Sequence, residues 1–160
     1  MSDIQNTSLG QDENIKARQR WISILARSSS DELQAYWDEF SPSQNFTHLR
    51  QPETGLVMVR GRTGGNGQRF NLGEASVTRC SIHLDSGEIG HSYVKGRNKR
   101  HAELAAVFDA LLQNQEWGPR LDEAMIKSIE ARLNKSKKER ETKVASTKVD
   151  FFTMVRGEDE

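Results

Sequence analysis

The 160-residue chain contains one cysteine, Cys80. A single thiol excludes an intramolecular disulfide and any metal centre built on several thiolates. Net charge is missing too. The 23 basic residues balance 23 acidic ones, so total charge lends no support to a nucleic-acid or membrane-surface role. Aromatic residues are sparse, at 7%, and no strand carries an aromatic platform for stacking bases. No apolar run approaches the length of a membrane span. Residues 1–11 are polar and lack the apolar stretch of a secretory signal, so a cytoplasmic location is expected. The mean hydropathy of −0.76 fits one modest core with polar extensions.

Residues 1–11 are expected to be disordered, residues 12–133 to form a single domain, and residues 134–160 to form a charged helical extension ending in a docking tail. A helix is predicted from Asp12, with Trp21, Ile24 and Leu25 on one face. A second carries Leu33, Tyr36, Trp37 and Phe40 and stops at Ser41-Pro42-Ser43. Four strands follow: Phe46 to Arg50, Leu56 to Arg60, Phe70 to Leu84 with a bulge near Gly73, and Ile89 to Lys95. Pro52-Glu53-Thr54-Gly55 reads as the turn between the first two, and Asp85-Ser86-Gly87-Glu88 as the turn before the last. Asn98 is a suitable N-cap for a helix that buries Leu104, Phe108, Leu111 and Leu112. Gly118-Pro119 opens another, with Leu121, Met125, Ile129 and Leu133 in register. The expected fold is α+β, a four-stranded, mainly antiparallel sheet packed against helices with an extended C-terminal arm.

Charge is unevenly spread. From Arg60 to His101 there are eight basic residues and three acids, Glu74, Asp85 and Glu88. Two segments stand out. In Arg60 to Arg69, glycines 61, 64, 65 and 67 alternate with arginines. Such a loop lets backbone N–H groups approach a phosphate, although a plain hairpin loop with positive-φ glycines accounts for the same pattern. In Lys95-Gly96-Arg97-Asn98-Lys99-Arg100-His101, cations crowd a helix N-terminus, where the dipole already carries positive charge. An anion among them would explain the placement; a solvated basic edge offset by Glu103 is the alternative. Arg60, Arg62, Arg79, Arg97 and Lys99 are the candidate anion-binding residues. His48, His83, His91 and His101 are scattered, and no metal site is expected, although His83 and His91 flank one turn. Cys80 shares a strand face with Ile82 and Leu84, which points to packing. No nucleophile–base pair or carboxylate dyad is assembled.

The chain ends unusually. Beyond the charged stretch lie Val149, Phe151, Phe152, Met154 and Val155, followed by Glu158-Asp159-Glu160. Burying such side chains is worth roughly 1.5–3 kcal/mol each, and termini are ordinarily polar and frayed. The tail either folds back on its own core or docks on another subunit. Docking through Phe151, Phe152, Met154 and Val155 is the expectation.

Taken together, Glu53 to Arg62, Gly64-Gly65 and Gly67, Phe70 to Ala75, Thr78-Arg79-Cys80, Tyr93 to Arg97, Ala102-Glu103 and Val149 to Gly157 resemble the PhnG family, the G subunit of the bacterial carbon–phosphorus lyase core complex. Arg18-Gln19-Arg20-Trp21 fits as well. The polar N-terminus and the lysine-rich stretch from Leu133 to Lys148 have no counterpart in that pattern. The resemblance implies phosphonate catabolism in a complex with PhnI, PhnH and PhnJ. With PhnI, PhnH and PhnL, the family supports displacement of adenine from ATP by an alkylphosphonate, giving a ribose 1-alkylphosphonate 5-triphosphate. It also implies that the radical carbon–phosphorus cleavage, with its iron–sulfur cluster and S-adenosylmethionine, belongs to PhnJ. No cofactor is then expected on this chain, and ATP is a substrate of the complex. A small non-enzymatic anion- or nucleic-acid-binding module is the alternative reading.

Overall fold

Alternating side chains in β2 (Arg69–Leu84) and β3 (Ile89–Lys95) set the architecture. Thr78, Cys80, Ile82 and Leu84 of β2 are buried, as are Gly90, Ser92 and Val94 of β3. That period of two gives the sheet one dry face, and α3 (Lys99–Gln113) covers it. The buried side of α3 is nearly continuous from His101 to Leu112, because a second layer of helices lies on its far side. A computed structural model of the chain describes residues 3–40, 44–64 and 66–146, with side chains from Asp12 onward.

The remaining elements are α1 (Asp3–Arg27), α2 (Ser30–Phe40), β1 (Phe46–Arg62), α4 (Trp117–Leu121), a π-helical turn (Asp122–Ile126) and α5 (Lys127–Ser146). The sheet is antiparallel in the order β1-β2-β3. The core joins Ile24 and Leu25 of α1, Leu33 of α2, Phe108 and Leu111 of α3, and Leu121, Met125, Ile126 and Ile129 of the last helical run. Trp37 stands edge-on to Phe108, with ring centroids 6.3 Å apart.

The α+β class with an antiparallel sheet is present, but among the described residues the sheet has three strands and not four. The predicted turn at Pro52 to Gly55 does not form; the chain runs straight through as one strand, Phe46–Arg62. Proline lacks an N–H for the ladder, yet β1 is an edge strand and the pairing jumps from Arg50 to Glu53. Pro52 sits in that irregularity, the position where a strand accepts proline. The bulge expected near Gly73 is present: Val59 pairs with Gly73 and Arg60 with Asn71, leaving Leu72 extra. α1 begins at Asp3 rather than Asp12, and so covers most of the segment expected to be disordered. No proline interrupts residues 3–12. α5 continues past Leu133 as a solvated helix to Ser146. Phe151, Phe152, Met154 and Val155 lie outside the described residues.

Candidate functional site

The corner between β3 and α3 is built by short-range rules. Gly96, at φ 98°, turns the chain where a side chain would be strained. Its N–H donates to the Ser76 carbonyl at 2.8 Å. Its own carbonyl accepts from the buried Thr78 hydroxyl at 2.8 Å. Asn98 then caps α3, its side-chain oxygen accepting from the His101 N–H at 2.9 Å. This fixes Arg97 and Lys99 on the surface at the mouth of the helix. Arg100 pairs with Glu103 at 2.6 Å, as the solvated-edge alternative anticipated. Among the described residues no carboxylate lies within ion-pair reach of Lys95, Arg97 or Lys99.

Arg79 lies on the opposite, outer face of the sheet. Glu53 accepts from Arg50 and Arg79, both at 2.7 Å. The two guanidiniums, Arg50 first, hold the Glu53 carboxyl below the usual range. Arg50, Arg79, Ser81, His91 and Tyr93 line an open groove of about 390 Å³, with Ile22 of α1 on its wall. Ser81 Oγ and His91 Nδ1 are 2.9 Å apart. Two arginines sharing one carboxylate leave this groove with an excess positive charge.

Arg60 and Arg62 are elsewhere. They stand near the tip of the β1–β2 ribbon, where Arg62 pairs with Arg69 in register. From Glu53 to Arg62 the strand spans about 30 Å, so the structure does not gather the five candidate cations into one site. The glycines between them serve the turn itself. Asn66 and Gly67 donate their N–H groups to Gly64 and Thr63 carbonyls at 2.8 and 2.9 Å, and Gly64 takes φ 57°. A Cβ on Gly67 would meet the Thr63 carbonyl oxygen at 2.3 Å.

The histidines do not converge. His83 pairs with Ile89 and His91 with Ser81, so the two do not face each other across the hairpin. Among the described residues no group of three metal-ligating side chains is present. His101 is buried, with Nε2 2.9 Å from the Leu25 carbonyl. His48 meets Glu103 at 3.0 Å. Cys80 is buried and 3.4 Å from the Arg50 carbonyl. Burial pushes its thiol up to about 11.

Sequence reasoning missed two features. Arg18 and Arg20 are clamps. Arg18 binds Asp109, while Arg20 reaches Asp122 at 2.8 Å and Glu130 at 2.6 Å. Asp109 on an apolar helix face was the available signal, since a buried acid requires a partner. The second is the ribbon. β3 ends opposite Val77, so residues 56–62 and 69–76 project as two strands without a third among the described residues. Strand lengths that exceed their neighbour's reveal this only once pairing is known.

No described helix is long and apolar enough to cross a membrane. The family profile described as "Phosphonate metabolism protein PhnG" matches residues 16–157. The chain is 43% identical over 159 residues to a Rhizobium meliloti (strain 1021) protein named alpha-D-ribose 1-methylphosphonate 5-triphosphate synthase subunit PhnG. That match covers 99% of this chain and 100% of the relative.

Proposed function

The chain belongs to the PhnG family of phosphonate metabolism proteins, and from that premise we propose that it is a subunit of an alpha-D-ribose 1-methylphosphonate 5-triphosphate synthase within a carbon–phosphorus lyase core complex. The match to a synthase subunit supports this reading: 43% identity over 99% of this chain and 100% of the relative. In this reading the partners are PhnI, PhnH and PhnJ, with PhnL required for activity, and ATP is the substrate: a phosphonate oxygen of methylphosphonate bonds to its ribose C1 and adenine is released. The chain itself holds no cofactor and acts as an organising, accessory subunit rather than the seat of the chemistry.

Its contribution to substrate handling is electrostatic. A triphosphate or a phosphonate is an oxyanion, and guanidinium groups bind such anions through paired, charge-assisted hydrogen bonds. The groove around Arg79 and the corner with Arg97 and Lys99 are the two places that suit such an anion. Both lie on surface with surplus positive charge.

The test is reconstitution. The chain is co-expressed with PhnI, PhnH, PhnJ and PhnL of its source organism, and adenine release from ATP is followed with methylphosphonate present. Adenine release that requires this chain, with a new phosphonate ester signal by phosphorus NMR, is the expected result. Equal release without the chain would overturn the reading. Arg79→Gln and Arg97→Gln are each expected to lower turnover several-fold in the assembled complex. Unchanged turnover removes that residue from the substrate path.

A further inference from the structure

The β1–β2 ribbon is an unfinished structure. Among the described residues, 56–62 of β1 and 69–76 of β2 have no strand partner but each other, and a two-stranded ribbon is marginal in water on its own. Yet Leu56, Met58, Val59, Phe70 and Leu72 are exposed there, Leu56 and Leu72 by 64% and 65%. They make up five of the ten exposed large apolar side chains among the described residues. Alternation along β1 puts Leu56 and Met58 on one face and Val57 and Val59 on the other, so both faces are apolar. Among the described residues the outer edge of β1 has no strand partner, and neither has the outer edge of β2 from Arg69 to Ala75. Apolar surface and an open strand edge in one place mark an interaction site.

Charge selects the occupant. The ribbon carries Arg60, Arg62 and Arg69 against one acid, Glu74. Among the described residues none of the three arginines has a carboxylate partner. A second copy meeting this ribbon through the same patch would set arginines against arginines, which opposes a symmetric contact. A polyanion backbone would satisfy the arginines but leave two apolar faces wet. We propose that the ribbon inserts into another protein subunit of the synthase, into an apolar groove rimmed by carboxylates, with the β1 edge open to strand addition. This rests on the synthase reading above.

The test uses the full chain co-expressed with PhnI, PhnH and PhnJ, and measures assembly by size-exclusion chromatography and titration. Two variants target the ribbon: L56D/L72D on its apolar faces, and R60E/R62E/R69E on its charge. Both change exposed side chains only, and circular dichroism with a melting curve verifies that each folds. The expected result is normal assembly of the unaltered chain and at least tenfold weaker assembly of each folded variant. Assembly of both variants at full strength overturns the proposal while leaving the synthase reading intact. Failure of the unaltered chain to assemble overturns the synthase reading, and the proposal with it. If the variants instead lose self-association, or binding to duplex DNA, while still joining the other subunits, the ribbon serves another partner and the proposal is wrong.

Discussion

Asp109, wholly buried in α3, accepts from both Nε and Nη2 of Arg18 in α1, at 3.2 and 2.8 Å across 91 residues of sequence. The same carboxylate accepts from the Trp21 indole N–H at 2.8 Å and the His91 backbone N–H at 2.9 Å. Four donors from two elements therefore converge on one acid, and α1, α3 and β3 are locked together by it. Asp109→Ala removes the acceptor of all four, and of these Arg18 Nη2 keeps a second partner, the Ile89 carbonyl at 3.1 Å. Removing one partner of a buried pair costs about 3–5 kcal/mol, and since Arg18 is partly exposed the lower end is expected. Urea unfolding checks this. A loss under 1 kcal/mol would show that the junction is held by packing alone.

Gly90 tests the seam between β3 and α3. A Cβ there would stand 1.9 Å from the Ala106 carbonyl oxygen and 2.8 Å from the Ala110 nitrogen, both backbone atoms that cannot step aside. Gly90→Ala is expected to cost about 1–3 kcal/mol by forcing α3 off the sheet. Gly55→Ala, with nothing within 4 Å, is the control and is expected to stay within about 0.5 kcal/mol of the parent. Equal melting temperatures for the two variants would refute the close approach.

The Arg20 clamp predicts an acid limb in the stability profile. A hydrogen bond from Arg20 holds the Glu130 carboxyl below its ordinary value of 4.5, and Glu130 in turn, ahead of Asp122, raises the Arg20 guanidinium. A depressed carboxylate stabilises the fold above its unfolded-state value and loses that contribution as pH falls toward the folded-state one. Melting temperature is expected to decline below about pH 4.5. Glu130→Gln should melt lower at pH 7 and lose less between pH 5 and pH 3. Parallel profiles for parent and variant would remove Glu130 from that limb. Because the pair is partly exposed, the effect is modest and weakens with salt.

Cys80 should be inert in the folded chain. Its thiol is buried, pushed up to about 11 by desolvation, and directed at the Arg50 carbonyl. A thiol reagent at pH 8 is expected to label it only after denaturant is added. Rapid labelling of the native protein would mean that the β1–β2 seam opens and exposes this thiol.

Local physics explains what was legible. The Asn98 cap, the Gly87 turn (φ 109°), the alternation that buries Cys80, Ile82 and Leu84, and the helical register of Leu121, Met125 and Ile129 each depend on residues a few positions apart. The first strand was misread for the same reason. Pro52 and Gly55 are turn residues by local rule, but β1 is an edge strand with an irregular pairing that absorbs them. The candidate cations were identified by type, not by place: Arg79 proved to share Glu53 with Arg50, while Arg60 and Arg62 went to the ribbon tip.

The sequence by itself determined the α+β class, the later elements from β2 onward, the dry face of the sheet and the family, because these rest on periodicity and residue identity. Only the tertiary structure decided which charges are paired, which acid is buried, and that β1 and β2 outrun β3 to leave apolar surface in water. Those properties depend on contacts between residues tens of positions apart, and pairing over such distances is fixed when the chain closes on its core.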